Sequence, residues 1–272
     1  MPDAPRPHGH SYTADELRAL RAELVRLDPS LATANAVVPD FAWRSRPAAF
    51  SGLLHLVAEQ QVSLASAAAI WKRIQEGLGE VTAHTVLAAG EERMRELGMS
   101  KPKARYAVAL AQAENEGRLD FAALALADDD TAVATLTALL GIGRWTAEAF
   151  LIGAYGRTDF FPAADIALQE AARLIDGLEQ RPTEKELYVR AERWKPFRAV
   201  AAQILWGYYS ATKSSAANEG TAKTRIAKTG AAKKSPAKKS PVTRGTATAT
   251  PLPPQPAHNA PAAGRRAARK PR

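Results

Sequence analysis

Residues 139–168 have the sequence LLGIGRWTAEAFLIGAYGRTDFFPAADIAL. Gly141-Ile142-Gly143 predicts a tight turn between a helix that ends over 136–140 and a second helix that begins at Trp145. The two glycines let the chain turn sharply and let another backbone come close. The amides at the start of the second helix, together with the helix dipole, favour an anion such as a DNA phosphate. On turn chemistry alone, an ordinary turn between helices explains the motif equally well.

The sequence upstream of this turn has helical periodicity almost throughout. Thr13 precedes leucines that are spaced three and four residues apart, which predicts a capped helix from Ala14 to Leu27. The alternation that is typical of strands is hard to find, and the predicted connections are short. We therefore predict an all-α fold, a class that does not by itself define a function.

The positive charge of the chain is concentrated in its C-terminal tail. The net charge is +9, but residues 213–272 hold 14 of the 37 Lys and Arg and, among the 28 acidic residues, only Glu219. The other residues carry a net charge of −4 (23 basic, 27 acidic), so nucleic-acid contacts outside the tail must be local. The tail is rich in Ala, Pro, Ser, Thr and Lys, which predicts disorder. We interpret it as a non-specific DNA-binding segment, with a solubilising extension as the alternative.

The composition excludes several kinds of site. The chain has no cysteine, which rules out disulfides, thiolate zinc sites, a cysteine nucleophile and iron–sulfur clusters. No apolar run of about 18 residues predicts a membrane span, and the N-terminal MPDAPRPHGH is not expected to be a signal peptide. The histidines show no metal-ligand spacing, so no side-chain metal site is predicted.

A longer pattern surrounds the glycine turn. The sequence LGIGRWTA at 140–147 is followed by Phe-Pro-x-x-Asp, which ends at Asp165, twenty residues after Trp145. Further pieces occur in the same order, namely QQVS at 60–63, Leu97-Gly98 with Lys103-Ala104, and AERWKPFR at 191–198 with Trp206. Over about residues 45 to 210 the chain resembles the helix-hairpin-helix DNA glycosylase superfamily, and within it the DNA-3-methyladenine glycosylase II branch. The combination is specific, although each piece alone is not.

Asp165 is the catalytic residue that this resemblance implies. Breaking the bond between base and sugar leaves positive charge on the sugar, which an ionised carboxylate stabilises while it orients or deprotonates a water. An alkylated purine such as 3-methyladenine is already positive, so its departure needs no second carboxyl group as an acid. From the residues alone, Asp165 is more simply the N-cap of a helix over 166–174, and the two roles are compatible.

Trp145 and Trp206 are implied to line the pocket for the flipped base. An indole face attracts a cationic base by about 0.5–2 kcal/mol, although core packing is the alternative for both residues. Relatives that also cut the strand, such as endonuclease III, resemble this hairpin but carry lysine at the position of Trp145. An indole cannot form their Schiff base, which predicts a monofunctional glycosylase. Ala149 replaces an aromatic residue of better-known relatives, which predicts a roomier pocket.

The resemblance also implies the contacts with DNA. The expected hairpin contacts are Gly141, Gly143, Arg144 and Thr146. Gln61 is expected to fill the gap left by the flipped nucleotide, with Gln60 as the alternative wedge. In the simpler interpretation, both glutamines cap a break between two helices.

The expected partners and ions follow from the same resemblance. The carbonyls of Thr137, Leu139 and Ile142 are implied to hold a monovalent cation, and no cofactor is required. The expected partner is double-stranded DNA that contains a damaged base, and the chain is expected to be a cytoplasmic, nucleoid-associated monomer with no membrane contact.

The implied architecture is two helical subdomains with a DNA-binding cleft between them. Residues 50–160 would form the central subdomain and end in the hairpin. Residues 1–49 would pack with the C-terminal helices over 161–212 as the second subdomain, and residues 213–272 would be the disordered tail. Two other functions stay open, namely a glycosylase for oxidised or mismatched bases and a non-catalytic helix-hairpin-helix DNA-binding protein.

Overall fold

The computed structural model describes residues 12–41, 43 and 46–213, and every regular element in these residues is a helix. The predicted all-α fold is therefore confirmed. The disordered tail predicted for 213–272 lies outside the described residues apart from Lys213. The helices are α1 (Ala14–Leu27), α2 (Leu31–Val37), α3 (Phe50–Glu59), α4 (Leu64–Leu78), α5 (Ala83–Glu96), α6 (Lys101–Asn115), α7 (Phe121–Leu126), α8 (Asp129–Thr137), α9 (Arg144–Tyr155), α10 (Ile166–Ile175), α11 (Glu184–Ala191) and α12 (198–213).

Side-chain caps determine where several helices begin. The hydroxyl of Thr13 accepts a hydrogen bond from the backbone N–H of Glu16, and the Glu16 carboxylate accepts one from the backbone of Thr13. This capping box confirms the predicted start of α1. Thr183 and Glu186 form the same box at α11. Each box satisfies two backbone groups that a helix start leaves without a partner.

Helix α2 was not predicted from the sequence; it follows Asp28 and Pro29, directly after α1. The Asp28 carboxylate accepts hydrogen bonds from both the backbone N–H and the hydroxyl of Ser30, at 3.1 and 2.7 Å, and so tightens this turn. A new short helix follows because Leu31 and Ala34 become fully buried. Seven residues are too few to show a clear helical period in the sequence. A helix this short is also unstable alone, so tertiary burial stabilises it.

Helix α3 lies at the centre of the hairpin region. It contacts α4, α6 and α9, and α8 packs against α9 across the hairpin. Its sequence FSGLLHLVAE is apolar on most sides, as expected for a helix covered by neighbours all round. The hairpin and the loop after α3 are consequently held by the same core.

The N-terminal helices contact the C-terminal part of the described chain. α1 packs against the 3-10 turn Glu192–Trp194, and α2 packs against α10. The indole N–H of Trp194 donates to the buried Asp28 carboxylate at 2.9 Å, and Arg190 donates to the same oxygen at 3.0 Å. These contacts join residues that are 162 and 166 positions apart in the sequence. The division into two subdomains with a cleft stays a prediction.

No helix within the described ranges is both long and apolar enough to cross a membrane.

Candidate active site

The hairpin turn occupies residues 138–143, between α8 and α9. Gly141 has a φ of +85°, and a Cβ placed on it would lie 2.3 Å from the ring of Tyr106 on α6. Both observations require glycine, because an L side chain strains this backbone and the space is already filled. The close approach predicted for this turn is therefore made here by an aromatic side chain of the protein itself.

Gly143 differs from Gly141 in both respects. Its φ of −87° suits any residue, and a Cβ would meet no protein atom within 4 Å. Gly143 is the N-cap of α9 and offers no side chain to bond the first amides of that helix. Nothing within the fold explains a glycine here, whereas an anion resting on the open amides would. The DNA contact itself stays a prediction.

Asp165 caps α10, as its position after Pro162 predicted. Its Oδ1 accepts hydrogen bonds from the backbone N–H groups of Ala167 and Leu168 at 2.7 and 3.2 Å. The residue is only 7% exposed. The cap uses one carboxylate oxygen and leaves the second for other partners.

That second oxygen, Oδ2, accepts a hydrogen bond from the indole N–H of Trp145 at 3.1 Å. The side chain of Trp206 lies close enough to favour the charged form of this carboxyl group as well. Burial raises the pKa of Asp165 above its usual value, and the hydrogen bonds from the backbone amides and Trp145, together with the nearby Trp206, oppose that rise. The structure thus places Asp165, Trp145 and Trp206 together, around a carboxylate that is mostly removed from water.

The orientation of the tryptophans was not predicted. The sequence analysis assigned their faces to a base, whereas the structure directs the N–H of Trp145 at Asp165. Trp145 is 7% exposed, so most of its ring is covered by protein. No periodic pattern relates residues 20 or 41 positions apart, and the resemblance alone grouped these three. Ala149 lies partly buried on α9, and its effect on the pocket stays a prediction.

Arg144, predicted to contact DNA, is bonded within the protein. Its Nε donates to Glu148 at 2.9 Å and to the hydroxyl of Tyr188 at 3.0 Å, and that hydroxyl donates to Glu148 at 3.0 Å. The Arg144 side chain is still 58% exposed, whereas Glu148 is 1% exposed. Glu148 was missed by the sequence analysis, although its spacing of four residues from Arg144 on a helix was a usable signal.

The pKa of Glu148 leads to a pH-dependent prediction. Burial raises this pKa from 4.5 to about 7, against the opposing charge of Arg144. The pKa of Glu148 is higher in the folded than in the unfolded protein. Its contribution to the free energy of unfolding is therefore fully present below about pH 4.5 and is lost as the pH rises through about 7. We expect Glu148→Gln to be within about 1 kcal/mol of the wild type in free energy of unfolding near pH 5 and to be more stable by up to about 3 kcal/mol near pH 8.

Urea unfolding from pH 5 to pH 8 measures this difference in the free energy of unfolding. The exposed Glu179→Gln is the matched control, because it removes a carboxylate that is not buried. A difference between Glu148→Gln and the wild type that does not change with pH would contradict the prediction.

Two predicted DNA contacts need correction. The side chain of Thr146 is not available to DNA, because the residue is 3% exposed and its hydroxyl accepts a hydrogen bond from Gln60 at 3.1 Å. Only its backbone N–H, in the first turn of α9, can take the predicted role. Gln60 also donates to the carbonyl of Gly141 at 3.1 Å, so it neither caps α3 with its side chain nor is free to act as a wedge. Gln61 is exposed, which suits the wedge predicted for it.

The proposed cation carbonyls lie at the same hairpin. The carbonyl of Leu139 accepts the N–H of Ile142 at 3.2 Å, which brings two of the three residues together across the turn. The hydroxyl of Thr137 donates hydrogen bonds to backbone carbonyls of its own helix, so it does not enter the turn. These positions are compatible with the predicted monovalent cation, which stays a prediction. In the part of the chain that the structure describes, no group of three or more His, Asp or Glu side chains could hold a metal ion.

Several known proteins are similar to this chain in sequence and in fold. DNA-3-methyladenine glycosylase 2 of Escherichia coli (strain K12) is 30% identical over 169 residues, which cover 58% of this chain and 57% of that protein. A crystal structure of a DNA-3-methyladenine glycosidase from Bacillus halodurans matches with a TM-score of 0.65 at 28% identity, covering 75% of this chain and 94% of that one. The 3-methyladenine DNA glycosylase Mag1 of Schizosaccharomyces pombe, in complex with abasic DNA, matches with a TM-score of 0.58 at 29% identity, covering 68% and 88%.

The matches cover only part of this chain and of its curated relatives. The chain spans less than two thirds of the E. coli protein and 58% of a curated relative from Bacillus subtilis (strain 168). The family model described as HhH-GPD superfamily base excision DNA repair protein matches residues 54–197, which is just over half of the 272 residues. The match includes the hairpin, Trp145 and Asp165, and it confirms the predicted family. This chain belongs to the HhH-GPD superfamily of base excision DNA repair proteins.

Proposed function

We propose that this chain is a monofunctional DNA glycosylase that removes alkylated bases, such as 3-methyladenine and 7-methylguanine, from double-stranded DNA. The observation that carries the proposal is the carboxylate of Asp165, which is 7% exposed and receives hydrogen bonds from two backbone amides and from the indole of Trp145. Its position after a hairpin with open amides supports the same function. The E. coli, B. halodurans and S. pombe proteins compared above are named as glycosylases or glycosidases for 3-methyladenine.

In the proposed reaction, the bond between C1′ of the sugar and the base nitrogen breaks. The bonding electrons leave with the base, which neutralises the positive charge of an alkylated purine. Asp165 stabilises the positive charge that develops on the sugar, because a buried carboxylate interacts strongly with a nearby cation. A water then forms the new bond to C1′ and gives up its proton to Asp165 or to solvent. The products are the free base and an abasic site.

The partners of Asp165 favour bases that leave without protonation. Its hydrogen-bond donors are backbone and indole N–H groups, and an indole is not a usable acid at neutral pH. A neutral base would need a proton to become a good leaving group, whereas a base with positive charge does not. The tryptophan at position 145 also cannot form a Schiff base with the sugar, so the reaction should end at the abasic site.

A panel of duplexes, each with one lesion, tests the proposal. We expect release of 3-methyladenine or 7-methylguanine, no release of 8-oxoguanine or mismatched bases, and no strand cleavage before alkali treatment. Release of oxidised or mismatched bases alone would favour the alternative glycosylase, and binding without release of any base would favour a non-catalytic DNA-binding protein.

In the same panel, Ala149→Tyr should narrow the range of bases released, because the larger side chain would fill space in the pocket. An unchanged range would refute the roomier pocket predicted for Ala149.

The proposed partner and setting follow from this reaction. Double-stranded DNA with a damaged base is the substrate, a monomer suffices because the residues of the candidate site lie on one chain, and the nucleoid is the place of action. The mildly acidic charge outside the tail predicts that binding depends on local contacts at the hairpin.

A further inference from the structure

Gln60 joins two loops that are far apart in sequence. The first is the wedge loop, residues 60–63, between α3 and α4, and the second is the hairpin turn at 138–143. The Gln60 amide nitrogen donates to the Gly141 carbonyl and to the Thr146 hydroxyl, each at 3.1 Å. These contacts span 81 and 86 residues. One half-buried side chain thus links the loop that carries Gln61 to the turn before α9.

The groups that Gln60 bonds are themselves firmly placed. The turn at Gly141 is packed against the ring of Tyr106, and the wedge loop follows Ala58, whose carbonyl accepts a hydrogen bond from the buried Lys103 at 2.9 Å. Lys103 and Tyr106 are three residues apart on α6 and therefore lie on one face of it. Helix α6 thus contacts both regions, and Gln60 connects them directly.

Gln61 follows immediately and has an unusual backbone. It is exposed, and its φ is +55°, in the left-handed region that L residues rarely adopt. Such a conformation persists only where neighbouring contacts fix it. The hydrogen bonds of Gln60 supply contacts of this kind on the N-terminal side, and Ser63, the N-cap of α4, supplies one on the C-terminal side.

We propose that Gln60 is a positioning residue that fixes the distance between the Gln61 side chain and the phosphate-binding hairpin. Gln61 then enters the base stack at a fixed number of nucleotides from the phosphate that the hairpin binds. Binding of the DNA backbone and flipping of the base therefore act on the same nucleotide. This inference rests on the proposed function and on the wedge role predicted for Gln61. It replaces the expectation that Gln60 is an alternative wedge.

A fluorescence experiment tests the proposal without base release. The probe is a duplex with 2-aminopurine next to a tetrahydrofuran abasic analogue, whose fluorescence reports unstacking when the gap is filled. Gln60→Met keeps the side-chain length but removes the donor, and we expect it to lower the unstacking equilibrium about tenfold, the size expected for two neutral hydrogen bonds. Affinity for an undamaged duplex should stay within about twofold. Gln112→Met, on the exposed face of α6, is the matched control.

A double-mutant cycle separates positioning from simple stabilisation of the fold. If Gln60 acts through Gln61, then Gln60→Met combined with Gln61→Ala should unstack the probe no less than Gln61→Ala alone. Thr146→Val removes one acceptor and should lower the unstacking equilibrium less than Gln60→Met does. Thr146→Ser keeps the hydroxyl and should leave the fluorescence signal at the wild-type level. Additive losses, an unaffected Gln61→Ala variant, or an equal loss of affinity for undamaged DNA would each overturn the proposal. If the wild type released no base from the lesion panel, the proposed function would fail while this measurement remained interpretable.

Discussion

Asp165→Asn is expected to slow base release by about a thousandfold while leaving DNA binding within about threefold of the wild type. The magnitude is that of removing one preorganised electrostatic contact from a transition state. The asparagine carbonyl can still accept from Ala167 and Leu168, and asparagine caps helices as well as aspartate does, so α10 should form normally. Single-turnover release of 3-methyladenine or 7-methylguanine measures the rate, and binding to an abasic analogue measures the affinity.

The asparagine creates one local conflict that needs a control. With its oxygen at the helix amides, its NH2 group faces the indole N–H of Trp145, and two donors then oppose each other. Trp145→Phe removes the second donor, so Asp165→Asn should destabilise the Trp145→Phe background less than it destabilises the wild type. A rate that recovered in the double variant would show that the conflict, and not the lost charge, caused the defect. Base release that persisted in both variants would refute the role of Asp165.

Gly141→Ala is expected to destabilise the fold by about 2–5 kcal/mol. A left-handed backbone costs an L residue about 1–2 kcal/mol, and forcing a methyl group into filled space costs about 1–3 kcal/mol. Here the Cβ would lie 2.3 Å from the Tyr106 ring at a φ of +85°. Thermal unfolding should show a fall of about 10 °C, with a loss of DNA affinity because the turn moves.

Gly143 provides the matched pair for that experiment. Gly143→Ala should cost less than about 1 kcal/mol, because the φ of −87° is ordinary and no protein atom is near. Its DNA affinity should nevertheless fall about tenfold, because the new methyl group stands where a phosphate would approach the amides. Gly143→Ser should cap α9 itself, gain a few tenths of a kcal/mol in stability and still weaken DNA binding. Unchanged DNA affinity in both Gly143 variants would mean that no anion binds at this helix start.

The sequence by itself determined the helical class, the starts of α1 and α10, and the hairpin. These features depend on interactions between residues close in the chain, such as the Thr13 box and the glycine turn, so composition and spacing reveal them. The cap formed by Asp165 was predictable for the same reason. The family and the grouping of Asp165 with Trp145 and Trp206 came from a longer pattern, which local physics alone would not have supplied.

Only the tertiary structure decided the hydrogen-bonding directions and the burial of the site. It directed the indole N–H of Trp145 at Asp165 and engaged the Thr146 hydroxyl in a hydrogen bond with Gln60, which makes that hydroxyl unavailable to DNA. It also buried Glu148 beneath Arg144 and Tyr188. It also formed α2, whose seven residues are stable because the core covers them. Each of these features depends on contacts between residues whose separation in the sequence follows no regular pattern. Their energies come from desolvation and contact geometry, which exist only once the chain has folded.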